Sequence, residues 1–195
     1  MQSNENLESL ILKIKNCDFS DESVIEKILY EFEKIPREEW TKYRVKLLSD
    51  NDLSSQLLRI AEKYSTNSKL LINVISSIGN MMERYNLLVS DEIFDFFLKH
   101  KDDKGIAFYI SLFITKMPQF DLYKDRWEYI LAIPKIPPKK KSMNLFLQII
   151  KNTEIEIPSQ YRSEIAKKIQ EYLLQNEVSE YTRKLYLDTI DNLFV

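Results

Sequence analysis

His100 is the only histidine and Cys17 the only cysteine among 195 residues, and this confines the chemistry the chain can offer. A Ser-His-Asp or Cys-His arrangement needs a nucleophile, a base and an orienting group brought within hydrogen-bond reach. No local spacing here announces one. His100 follows Leu98-Lys99 where a helical pattern ends, a position at which the helix dipole favours a cation. A surface or capping role is expected of it, not a catalytic one. One cysteine leaves no partner for an intramolecular disulfide and cannot build a multi-cysteine zinc site.

Carboxylates gather at Asp91-Glu92 with Asp95, and at Asp121 with Asp125 and Glu128. Acidic residues three or four apart share one helix face and can in principle hold a cation. In a first helical turn, however, they simply answer the dipole. A di-iron bundle would need Glu-x-x-His motifs, which the sequence lacks, so neither a metal nor a cofactor is expected. The run Lys139-Lys140-Lys141 is the most basic local feature, suited to phosphates, to an acidic partner surface, or to a solvated loop. The segment from Tyr123 to Ile130 (YKDRWEYI) interleaves aromatic and charged residues. Such a mix suits a binding face, and Tyr123 and Trp127 are expected to touch a partner.

The elements that must carry these residues read as helices. Only Gly79 and Gly105 occur in the chain, whereas an average protein carries roughly 7% glycine. Tight hairpins draw on Asn-Gly and Asp-Gly pairs, and neither pair is present. A glycine-rich phosphate-binding loop needs several glycines close together. Both architectures are therefore disfavoured. Helical periodicity is instead visible almost throughout: Leu7, Leu10, Ile11 and Ile14; Ile25, Ile28, Leu29 and Phe32; Leu53, Leu57, Ile60 and Ala61; Ile93, Phe94, Phe97 and Leu98. Trp40, Tyr43, Val45 and Leu47 form a shorter, less regular stripe. Gly79 falls inside a long helix, at a cost of roughly 1 kcal/mol relative to alanine, and implies close approach of a second helix or a kink. Pro134 to Lys141 reads as a proline-rich loop. Thr153 to Ile157 (TEIEI) is the nearest approach to a strand and lies between two helical patterns.

About eleven helices result, in a single all-α domain of stacked antiparallel pairs, with residues 1–65 as N-terminal helices (a cap, a separate bundle or part of the array) and 66–195 as repeats. From Lys69 alternate helices begin near residues 69, 105, 142 and 179, with others near 91, 121 and 158. Two helices in about 37 residues is the spacing of a helical-repeat stack, in which each pair buries one stripe on its own partner and another on the next pair. In this spacing and overall character, residues 69–195 resemble degenerate HEAT-type repeats. Small Lys- and Ile-rich chains of this kind resemble some helical bacterial immunity proteins, which neutralise a sibling cell's toxin. The resemblance implies an α-solenoid that binds protein. It transfers no functional residues.

Charge bears on the partner. With 28 basic and 30 acidic residues the net charge is −2, and a non-specific nucleic-acid binder would show a basic excess. No apolar run approaches the ~18 residues that a membrane span requires. The N-terminus is polar and lacks a secretory pattern, so a soluble, cytoplasmic protein is expected. The leading expectation is an interaction protein, not an enzyme: an immunity-type inhibitor that occludes a toxin domain. Asp91, Asp95, Asp121 and Asp125 would mimic nucleic-acid phosphates if that toxin is a nuclease, with Tyr123 and Trp127 alongside them. Two alternatives remain. One is a nucleic-acid-binding protein resembling DNA-alkylation glycosylases, using Trp127 beside Asp125 with Lys139–Lys141. The other is a regulatory adaptor.

Overall fold

The computed structural model describes residues 2–153 and 155–194, leaving aside the side chains of 2–4. Among these residues the chain is all-α: eleven α-helices and three short 3₁₀ turns, with no strand. Of the stretch Thr153 to Ile157, Glu154 lies outside the described residues. No described helix is long and apolar enough to cross a membrane. The chain divides into two compact units, Met1–Gln119 and Phe120–Val195.

The first unit contains α1 (Gln2–Lys15), α2 (Glu22–Phe32), α3 (Lys42–Leu48), α4 (Asn51–Lys63), α5 (Ser68–Tyr85), α6 (Asp91–Lys99) and α7 (Ala107–Ile114). Short polar side chains start most of them. Asp21, Thr41, Asp50, Asn67 and Ser90 each accept a backbone N–H from the first turn, satisfying donors that have no partner inside a helix. The packing is a ladder. Helices α1 and α2 pack together, as do α4 and α5, and α6 and α7. The first members of these pairs touch in the order α1, α4, α6, and the second members in the order α2, α5, α7. Leu7, Leu29, Leu57, Leu71, Ile78 and Phe97 are completely buried along it; a fully buried Leu or Ile contributes roughly 1.5–3 kcal/mol. At residues 65 and 66, where the sequence suggests the repeats begin, α4 and α5 pack directly on each other.

The second unit contains α8 (Arg126–Ala132), α9 (Lys139–Asn152), α10 (Ser159–Gln175) and α11 (Glu180–Asp191). Its pairs are α8 with α9 and α10 with α11, and α8 touches α10 while α9 touches α11. Met143, Phe146, Ile165, Ile169 and Tyr186 fill its core. Lys139–Lys141, expected to close a loop, form the first turn of α9. Helices α5, α7, α9 and α11 begin at 68, 107, 139 and 180, within three residues of the starts read from the sequence. The intervals of 39, 32 and 41 residues between these starts are uneven because the helices differ in length, the short α7 and α8 falling in the shortest interval.

Two local corrections have physical causes. The stripe Trp40, Tyr43, Val45 and Leu47 is not the buried face of α3. Thr41 caps that helix, leaving Trp40 outside it, and the buried positions are Arg44 and Leu48. His100 does end α6, but it is not on the surface. The residue is 6% exposed, and Nδ1 lies 2.6 Å from the Asp103 carboxylate.

Candidate functional site

The acidic and aromatic residues singled out in the sequence divide between the units. Asp91 and Asp95 sit one turn apart on α6, both exposed, and Asp91 accepts a hydrogen bond from Gln119 Nε2 at 3.1 Å. Asp121, Tyr123 and Asp125 belong to the second unit. Asp121 and Asp125 are exposed, while Tyr123 is half-buried with its ring 6.0 Å from that of Phe120. Among the described residues no three His, Cys, Asp or Glu side chains gather as a metal site.

Trp127 departs from its expected place. It is 4% exposed, and its indole stacks on Tyr161 with ring centroids 6.0 Å apart. The Arg126 guanidinium lies 5.6 Å from the indole. The Tyr161 hydroxyl donates to Glu128; this bond holds the Glu128 carboxyl below its ordinary pKa and pushes the Tyr161 phenol up. Trp127 thus anchors the core of its unit, and an indole held in this way has no surface left for a partner. Its aromatic and charged neighbours are how α8 fastens to α10.

The first unit presents the reverse arrangement at Trp40, which the reading of the sequence placed in a core stripe. Trp40 is 56% exposed, in the loop between the 3₁₀ turn Ile35–Arg37 and α3. That loop is held from behind. Arg44, 2% exposed, donates to the Glu38 carboxylate at 2.7 Å and to the Glu39 carbonyl at 3.3 Å. Tyr85, fully buried on α5, donates to the same Glu39 carbonyl at 3.2 Å, and Arg84 donates to the carbonyl of Glu38. Burial opposes charge on Arg44, but Glu38 and Tyr85 outweigh it and its pKa is raised. The two residues before Trp40 are therefore fixed by α3 and α5 together.

Tyr43, the second residue of α3 and 38% exposed, is tethered to α1 by its hydroxyl, which donates to Glu8. An exposed indole on a fixed loop, with a tethered phenol close by in sequence, can bury apolar area against a partner with little ordering cost. It contributes no acid, base or nucleophile. One signal of this was present in the sequence: Thr41 is a favoured cap, and starting the helix there places Trp40 outside it.

Compared with known proteins, the chain matches no protein-family model, no curated protein and no solved structure at a significant level.

Proposed function

We propose that this chain is a protein-binding module of the helical-repeat kind, acting in the cytoplasm as an immunity-type inhibitor that occludes the working face of a toxin domain. The observation that carries the reading is Trp40, exposed at 56% on a loop that Arg44, Arg84 and Tyr85 hold in place. Tryptophan and tyrosine are enriched among the few residues that dominate protein interfaces. A fixed aromatic loses little freedom on binding. In this reading Trp40 fills a pocket on the partner and Tyr43 lies at the rim. The ladder of pairs within each unit supports the repeat-type architecture. Exposed Asp91 and Asp95 on α6, in the same unit as Trp40, supply the acidic component, which speeds association with a basic active site more than it sets final affinity.

The test is capture from lysate of the native host with tagged wild type, Trp40→Ala and Tyr43→Ala, followed by assay of the captured protein. Near-stoichiometric capture of one protein, with affinity reduced about 30-fold or more by Trp40→Ala, is the expected result for an interface anchor. The captured protein is expected to be toxic alone and inhibited in the complex. Equal capture by wild type and Trp40→Ala removes the basis of the proposal, as does a captured partner whose activity the complex leaves intact.

A further inference from the structure

The second unit contains a groove of about 730 Å³ between the start of α9 and the α10–α11 pair, a size within the range of small-molecule sites, about 300–1,000 Å³. Lysines enter it from three elements: Lys135 from a 3₁₀ turn, Lys139 and Lys140 from the first turn of α9, and Lys168 from α10. Glu171 and Glu177 also line it. They offset only part of this charge, and Lys168 already faces Glu164 at 3.7 Å. At the groove wall Tyr186 is almost fully buried and donates to Asn144 Oδ1 at 3.0 Å. Tyr172 packs on it with ring centroids 5.7 Å apart and remains half-exposed.

Stability does not account for the three lysines at the start of α9. A helix begins with its positive dipole end, where acidic residues are favoured and cations are not. Pro138 ahead of them supplies no side-chain cap. Lys139 and Lys140 thus bring two cations to the positive end of α9, on the rim of a groove to which Lys135 and Lys168 add two more. An anion seated there offsets this gathered positive charge, and lysine is a common phosphate ligand. A flat ring is the group best matched to the exposed part of Tyr172, because aromatic side chains stack on base faces whatever the base. The near-neutral chain, at −2, lacks the basic excess that extended nucleic acid calls for.

We propose that this groove binds a phosphate-bearing small molecule of nucleotide size, its phosphates on Lys135, Lys139 and Lys140 and its ring against Tyr172. The site is independent of the Trp40 loop, which belongs to the other unit, and stands whether or not that loop binds protein.

The test is calorimetric titration of the full chain with ATP, inorganic pyrophosphate, a single-stranded oligonucleotide and a glutamate-rich peptide. The variants are Lys139→Ala/Lys140→Ala, Tyr172→Ala and, as a charge control at the far end of α9, Lys151→Ala; circular dichroism checks that each is folded. Saturable ATP binding is expected, weakened at least about tenfold by the double lysine variant and unchanged by Lys151→Ala. Tyr172→Ala is expected to weaken ATP while leaving pyrophosphate unchanged. The proposal is overturned by absence of saturable ATP binding, by indifference of ATP to the double lysine variant, or by tighter binding of the peptide or the oligonucleotide at the same lysines. Tyr172→Ala having no effect on ATP would overturn it equally.

Discussion

The ring of Phe113 on α7 lies directly over Gly79 on α5, so close that a Cβ at residue 79 would fall within the ring's own envelope. Glycine inside an 18-residue helix is thereby explained. It forgoes helix propensity so that α5 and α7 can meet. Gly79→Ala should gain up to about 1 kcal/mol of propensity and lose more, because overpacking a core costs roughly 1–3 kcal/mol. A lower urea midpoint is therefore expected, with much of the loss recovered in Gly79→Ala/Phe113→Leu, since touching residues do not add independently. Additive losses in that pair would contradict the contact.

Arg44 couples the stability of the first unit to the Trp40 loop. Arg44→Met removes the donors to Glu38 and Glu39 and is expected to cost about 2 kcal/mol, as loss of a charged hydrogen-bond partner does. In a Trp127→Phe background the emission of Trp40 alone can be followed. Its anisotropy should fall in Arg44→Met under conditions where circular dichroism shows the helices intact. Arg44→Lys should behave similarly, because a single ammonium does not reproduce the guanidinium fork.

Asp50 caps α4 and reaches Lys15 on α1 at 2.5 Å. Burial alone would raise its pKa. The bonds from Lys15 and from the backbone of Asp52 and Leu53 outweigh this, and the folded value lies below the ordinary 3.8. A carboxylate with a depressed folded pKa stabilises fully above its unfolded value and loses that contribution as pH falls through the folded one. Asp50→Ala should therefore cost about 1 kcal/mol near neutrality, the usual value of a lost cap. The gap between variant and wild type should close as the denaturation series is carried below pH 3.8.

Tyr186 sets a limit at the alkaline end. Burial pushes its phenol from 10.0 up to about 12. Between these values the unfolded chain ionises first, so stability is lost as pH rises from 10 towards 12. Tyr186→Phe, which has nothing to ionise, should show a shallower decline in denaturation midpoint over that interval. A slope equal to wild type would mean that other tyrosines carry the effect.

Much of this architecture is legible in the sequence, for a plain reason. Stripes such as Leu53, Leu57, Ile60 and Ala61 bury one helix face, and that pattern repeats wherever two helices meet. Helix starts followed from the same logic, since Ser90 and Ser179 are caps in the structure as they are by type. The buried charged and polar groups were not legible. Arg44 reads as a surface residue because burial of a guanidinium depends on Glu38, Glu39 and Tyr85, a set brought together only by the fold. His100 was concealed likewise by Asp103 and by the Phe96 ring, 4.6 Å away. The two tryptophans exchanged their expected places. Trp127 is sealed by Tyr161, 34 residues further along the chain, while Trp40 is turned outward by a cap one residue away.

The ladder of the first unit has a further consequence for how such a chain changes over time. The main packing of each pair is against the pairs adjacent to it in chain order, so the rungs are held chiefly by their neighbours. Duplication or deletion of a whole pair, for instance α4 with α5, would present its neighbours with faces of the same apolar kind. Length is thus a quantity this design can alter in steps of about forty residues. The outward side chains of each rung are free to diversify without renegotiating the core beneath them.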